Sequence, residues 1–562
     1  LIGYFILKNV INIQAAEFTW EGTLNNWWTY YHCEGEVCTS NWSWIGTPTY
    51  YPYPFSIDHD IAHIGANESV IIRNGKSGGA KQLTVGDSST LTIYGVLNIG
   101  EEGITNAGHI KVEQGAKIGV QKPALLTGEG ELELNGGTLS TSYGGVTLTN
   151  QQTIKGYGTI DVSTINQGTI IAEGGTLEIK RNVINTEHEI RVGEGGKLLI
   201  NQATIEGGII DPQGREVELQ RVYLKGVSFK DGTVKVTADE SKIYDSITLA
   251  SGTQLNIEKT LHLLTEDQDQ FSFINAGHIK VEQGAKIGVQ KPALLTGEGE
   301  LELNGGTLST SYGGVTLTNQ QTIKGYGTID VSTINQGTII AEGGTLEIKR
   351  NVKGDGIIKV DESGKLQINS DIEAKDLVIE ENSEGITVGN WKKVILSGDL
   401  VLALKDESKW SWGNGSSLIM AGEGNRWQRL EVGGRDMGLD ENGFINNFSL
   451  KVLEISEGAK VALFDLIDNG NRDSLEALYV EQLILEDGGV LNLNNLNLYT
   501  YDDQGNVIML TEGPWGEGEV VNSPVPIPAS GILTLSGLLS LGLLRRKFSC
   551  LLYTSPSPRD RG

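Results

Sequence analysis

Asp58, His59, Asp60 and His63 have the residue types of a metal site. Carboxylates and imidazoles both ligate metals, and on an extended strand His59 and His63 would share a face. The segment runs straight into the apolar turn IAHIG, so the expectation is a strand entry with polar groups facing solvent. Asp465 to Glu476 has the length of a calcium loop, with Gly470 at the sixth place and Glu476 at the twelfth. Its third place holds Ile467, which supplies no ligand oxygen, so no calcium is expected there. The chain contains no P-loop and no H-E-x-x-H. Acid–base cleavage of a polysaccharide would need carboxylates and a cation gathered on one outer face. The 71 acidic residues are instead scattered. We therefore expect no catalytic residue, no cofactor, no metal and no enzyme.

Cys33 and Cys38 are separated by four residues and could close a small local disulfide outside the cytoplasm; two free thiols are the alternative. Trp20, Trp27, Trp28, Trp42 and Trp44 all fall before residue 50. They suit a plug over the open apolar end of a stacked fold, and Trp27, Trp28, Trp42 and Trp44 could alternatively stack on sugar rings.

Something must position these residues, and composition limits what it is. The chain has 562 residues, a formal charge of −27 and 75 glycines. Such a negative field repels phosphate, which argues against a nucleic-acid partner. One compact core is not expected at this length, leaving several domains or one elongated structure.

The middle of the chain is a repeat. Asn106 to Val183 recurs letter for letter as Asn275 to Val352, an offset of 169 residues over 78 positions. Within each copy, runs such as HIKV, ELEL and TLEI alternate apolar with polar residues, which predicts short strands. Glycine units separate them: Asn135-Gly136-Gly137, Gly156-Tyr157-Gly158, Asn166-Gln167-Gly168 and Glu173-Gly174-Gly175. They predict sharp turns that point the next apolar side chain inward. The pattern is all-β, a β-solenoid whose coils hydrogen-bond about 4.8 Å apart. At roughly 20 residues per coil, the span from Leu83 to Ile368 holds about 14 coils and extends roughly 70 Å. Such a stack could accept the duplication if a whole number of coils were added.

Five further segments surround the solenoid, placed at 83–375. Residues 1–16 read as a clipped secretory signal, 17–82 as the aromatic cap, 376–515 as a carboxyl-terminal β region that finishes the stack, and 516–549 as a tail. Residues 550–562 resemble the translated frame of a transposase-type sequencing adapter and carry no fold information.

Stretches such as TINQGTIIAEGGTLEI resemble bacterial surface proteins with parallel β-helical passenger regions. The resemblance implies an elongated parallel β-helix. In the tail, Pro524, Val525, Pro526, Ile527, Pro528 and Ala529 precede an apolar run and then Arg545, Arg546 and Lys547. The apolar stretch Ile527 to Leu544 would make a helix of about 27 Å, slightly short of a bilayer core. This arrangement resembles a PEP-CTERM sorting tail of the Val-Pro-x-Pro-Ala kind, with Ile527 where Glu is usual. It implies transient membrane anchoring, processing by an exosortase-type peptidase, and a place on the cell envelope or in the extracellular matrix. A structural or adhesive role, with polysaccharide or other cell surfaces as partners, is the expected function. Two alternatives remain open: a β-helical polysaccharide lyase or hydrolase, and a carbohydrate-binding surface protein.

Overall fold

The computed structural model describes residues 61–75, 77–470 and 476–525, together with the backbone of 17–20 and 42–45. Cys33, Cys38, Trp27, Trp28, Asp58, His59, Asp60, Pro526 to Ala529 and Arg545 to Lys547 lie outside these residues, as do the side chains of Trp42 and Trp44. The described chain is nearly all strand, with two 3-10 turns at Glu407–Lys409 and Glu441–Phe444. It divides into two compact units, one ending at Ile419 and the other beginning at Met420.

The first unit is a parallel β-helix. Each coil lays down three strands in turn, exemplified by His109–Glu113, Lys117–Val120 and Ala124–Thr127. From 61 onward the strands pair in parallel with the strand one coil earlier and the strand one coil later, which builds three sides. On the first side Leu91, Ile110, Leu132, Ile154, Ile170, Ile190 and Ile210 follow one another in register. All of them are buried. Alternation explains this: with period two, every second side chain points inward, and in-register pairing stacks like on like. On the third side the same chain of pairings climbs fourteen coils from Leu83 to Leu366, which matches the expected number of coils. The pairing then continues through 377–379, 386–388, 400–402 and 410–412, so strands beyond 375 extend the same sides.

Three of the four glycine units play a different part from the one expected. Glu131–Ser140, Thr153–Asp161 and Thr169–Ile179 are each one continuous strand that bends from the first side to the second, with Asn-Gly-Gly, Gly-Tyr-Gly or Glu-Gly-Gly at the bend. The ladder slips at the first two bends. Gly156 shows why the residue type matters: its φ is +109°, and a Cβ there would overlap the Leu134 carbonyl oxygen of the coil below. These three units steer strands without ending them, whereas Asn166-Gln167-Gly168 makes the expected turn between Ser163–Asn166 and Thr169–Ile179.

The duplication also departs from expectation. His109 starts a strand on the first side, whereas the pairings place its counterpart His278 on the second, continuing 197–201, 216–220, 232–236 and 253–257. Eight coils and one further side separate them. The stack has therefore accepted a whole number of sides and not a whole number of coils, and the second copy is rotated by one side relative to the first.

The second unit has its own parallel pairs, 428–431 with 461–464 and 450–455 with 480–485. Two antiparallel hairpins follow, 499–501 with 507–509 and 513–515 with 518–520. Phe444, Tyr479, Tyr499 and Ala477 form a separate aromatic core, in which Tyr479 and Tyr499 stack at 4.7 Å between centroids. The Tyr479 hydroxyl donates to the Gly438 carbonyl and accepts from the Met437 amide.

Candidate functional site

The outer wall of the first unit carries its charge in columns. His109 lies beside Glu131 of the next coil, which lies beside Thr153; Lys111, Glu133 and Lys155 form the adjacent column. Period two sends all six side chains outward, and the coil repeat sets them one strand spacing apart. His109 Nδ1 is 2.7 Å from Glu131 Oε1, and its Nε2 is 2.6 Å from Glu133 Oε2. Lys155 Nζ reaches Glu131 Oε2 at 2.8 Å. A shallow groove of about 450 Å³ runs beside this cluster between Asp87 to Thr90, Ala107 to His109 and Glu129 to Glu131.

An imidazole between carboxylates has the parts of an acid–base site, but the geometry commits them to one another. Both ring nitrogens meet carboxylate oxygens, so neither is offered to a molecule in the groove. Burial pushes Glu131 up, yet the Lys155 hydrogen bond and the nearby His109 outweigh it and hold the carboxyl below its usual value. In the second copy His278 repeats the clamp with Glu300 at 2.9 Å and Glu302 at 3.1 Å, and Lys324 meets Glu300 at 2.9 Å. Such clusters tie neighbouring coils together. The signal for them lies in the sequence: His109 and Glu131 are 22 residues apart, about one coil, although this becomes legible only once the side each strand occupies is known.

The second unit contains a more perturbed carboxyl. Glu431 is buried, and burial raises its pKa to about 8 despite the Leu466 and Ile467 amides that donate to its Oε1 at 2.6 and 2.8 Å. Asp465 and Glu476 add like charge. These two are the first and twelfth places of the calcium-loop-like segment. Here Asp465 Oδ2 accepts from the Glu476 amide at 3.2 Å, and Glu476 Oε1 accepts from the Asn469 amide at 3.0 Å. The carboxylates thus bind the loop's own backbone. Among the described residues no group of three or more His, Cys, Asp or Glu side chains could hold a metal ion.

Of the other residues singled out in the sequence, His63 sits half-buried on the strand Ile61–Ile64, whose 62 and 64 positions face the core. That strand pairs with 17–20, which in turn pairs antiparallel with 42–45, so the backbone carrying Trp42 and Trp44 belongs to the same sheet. Towards the carboxyl terminus, Asn492 and Asn494 hold the described residues of the proline-rich segment that begins at Ser523. The Ser523 amide donates to Asn492 Oδ1 at 3.1 Å, and the Val525 amide to Asn494 Oδ1 at 3.0 Å. Among the described residues no helix is long and apolar enough to cross a membrane. The chain matches no protein-family model, no curated protein and no solved structure.

Proposed function

We propose that this chain is an exported β-helical element of the cell surface or extracellular matrix, structural or adhesive in role, delivered through its tail by an exosortase-type peptidase. The observation that carries the reading is the braced outer wall. The cation and carboxylate columns on the His109 wall engage each other across coils, as do Lys197 with Glu216 at 3.0 Å and Lys359 with Glu380 at 3.0 Å elsewhere along the unit. A surface built this way resists shear between coils and spends its charge on rigidity. The tail motif supports the address, since Pro526 follows directly on the asparagine-held 523–525 segment.

Fractionating cells with and without the sorting peptidase tests the address. The protein should reach the outer surface or matrix only when the peptidase is present, and an identical distribution in both strains would remove the tail from the account. Incubating the purified chain with a polysaccharide panel tests the role: new reducing or unsaturated ends would make it an enzyme instead.

A further inference from the structure

We infer that Trp391 is a stacking platform for a sugar ring of a polysaccharide, a binding site that goes beyond the structural role and does not depend on the export route. Trp391 is 75 % exposed, and its backbone lies in the left-handed region at φ +58°. A bulky side chain is strained in that region, and Gly would avoid the strain. Two stacked turns hold it. Its amide donates to the Asn414 carbonyl of the next coil at 2.9 Å, and the Asn414 amide donates to Asn390 Oδ1 at 2.9 Å. The position stacked against it is Gly415, where a Cβ would overlap the six-membered ring of the indole. One face of the indole is therefore laid against bare backbone, and the residue's large exposure leaves the rest to water.

The surroundings select the ligand. No other large apolar residue between 365 and 419 is exposed, so the ring is not part of a protein-docking patch, which would surround it with further apolar contacts. Its neighbours in the two turns are Asn390 and Asn414, both exposed, and Lys392 and Lys393 follow it in sequence. Neither lysine forms an ion pair among the described residues. An isolated aromatic face with amide and ammonium groups at hand suits a pyranose: its C–H face packs on the electron-rich ring while its hydroxyls take the hydrogen bonds. The unpaired lysines favour a sugar that carries a carboxylate.

The test uses the full chain in affinity electrophoresis through gels containing a neutral glucan or a polyuronate. Wild type should be retarded by at least one of the two. Trp391→Ala should weaken that retardation at least tenfold, and Trp391→Tyr should keep part of it. Trp391→Gly relieves the backbone strain, so it should unfold at or above the wild-type temperature while losing binding, which separates a lost platform from a lost fold. Retardation by the polyuronate that falls on Lys392→Gln with Lys393→Gln assigns an acidic sugar; retardation by the glucan, unchanged in that double variant, assigns a neutral one. Wild type that neither gel retards, or Trp391→Ala that migrates like wild type, would overturn the proposal. Neither result depends on where the protein is delivered in the cell.

Discussion

His109 opens a coil on the first side of the stack, and His278, identical to it over 78 residues of shared context, opens one on the second. The two copies nevertheless fold alike. Their long bent strands have the same burial pattern residue by residue, as in Glu131–Ser140 and Glu300–Ser309. Each even encloses the same apolar void of about 10 Å³, among Ile118, Leu132 and Leu148 in one copy and Ile287, Leu301 and Leu317 in the other. Local alternation and glycine bends therefore build one side after the next in a fixed order, and the same sequence can begin on either of two sides. The copies differ where their neighbours differ. In the first, buried Asn150, Asn166 and Asn185 pass a side-chain hydrogen bond from coil to coil at 2.8 and 2.7 Å. In the second, Asn319 donates to Asn335 at 2.8 Å and the ladder stops, because the next position is Gly354. Gly354 has φ +120°, and a Cβ there would overlap the Asn335 carbonyl oxygen, so no asparagine fits.

Interchangeable sides predict a large effect of register. Deleting 106–274 joins Thr105 to Asn275 and restores the junction already present at Thr105–Asn106, while rotating everything downstream by one side. That variant should keep its β-sheet circular dichroism and a cooperative melt. Deleting 106–277 removes three more residues and the asparagine corner, and should yield unfolded or aggregated protein. Equal behaviour of the two deletions would mean that coils, and not sides, are the unit of insertion.

Substitutions at the bends probe whether the copies are energetically as well as geometrically alike. Gly156→Ala and Gly325→Ala face the same obstacle, a carbonyl oxygen of the coil below at φ +109°. Each should cost about 3 kcal/mol or more, and the two values should agree within about 0.5 kcal/mol in chemical denaturation. A clear inequality would show that position in the stack outweighs local sequence.

How much of this was legible beforehand follows from the same units. Alternation in HIKV, ELEL and TLEI identified strands, and their density gave the coil count, because both depend only on local period. The side occupied by each strand was not legible. Coil length varies from 16 residues between Asn150 and Asn166 to 26 between Ser246 and Ser272, so no fixed period assigns partners. The His109 clamp and the exposure of Trp391 both depend on that assignment. Glu431 was hidden differently: its environment is made by 465–467, distant in sequence.

The asparagine ladder supplies the sharpest contrast between the copies. Asn166 accepts from Asn150 and donates to Asn185, whereas Asn335 accepts from Asn319 and donates only to the Gly337 and Ile357 carbonyls at 3.4 Å each. Asn166→Ala breaks the ladder in its middle and strands the Asn185 oxygen, at a cost of about 2–3 kcal/mol. Asn335→Ala should cost roughly 1 kcal/mol less, as measured by urea midpoints. Equal losses would mean that the ladder adds nothing beyond its individual bonds.

The spacer between the copies can be set against them by acid. Glu218 lies there on the second side, and the Lys197 hydrogen bond at 2.6 Å lowers its pKa to about 2; burial opposes the shift, and Gln220 and Thr237 add to it. The folded carboxyl holds its proton less tightly than the unfolded one, so between about pH 4.5 and 2 the unfolded state binds more protons. Stability from this group is complete above that window and is lost as pH falls through it. Because Lys197 is well exposed, screening limits the contribution to roughly 1 kcal/mol. Amide exchange should show the spacer coils losing protection across that window in wild type, and Glu218→Gln should start lower and change less. In the copies Glu131 and Glu300 are also held low, by Lys155 and Lys324 against burial. Glu131→Gln and Glu300→Gln should therefore flatten the acid response of their own coils equally, since a wall that braces itself side by side has no reason to distinguish them.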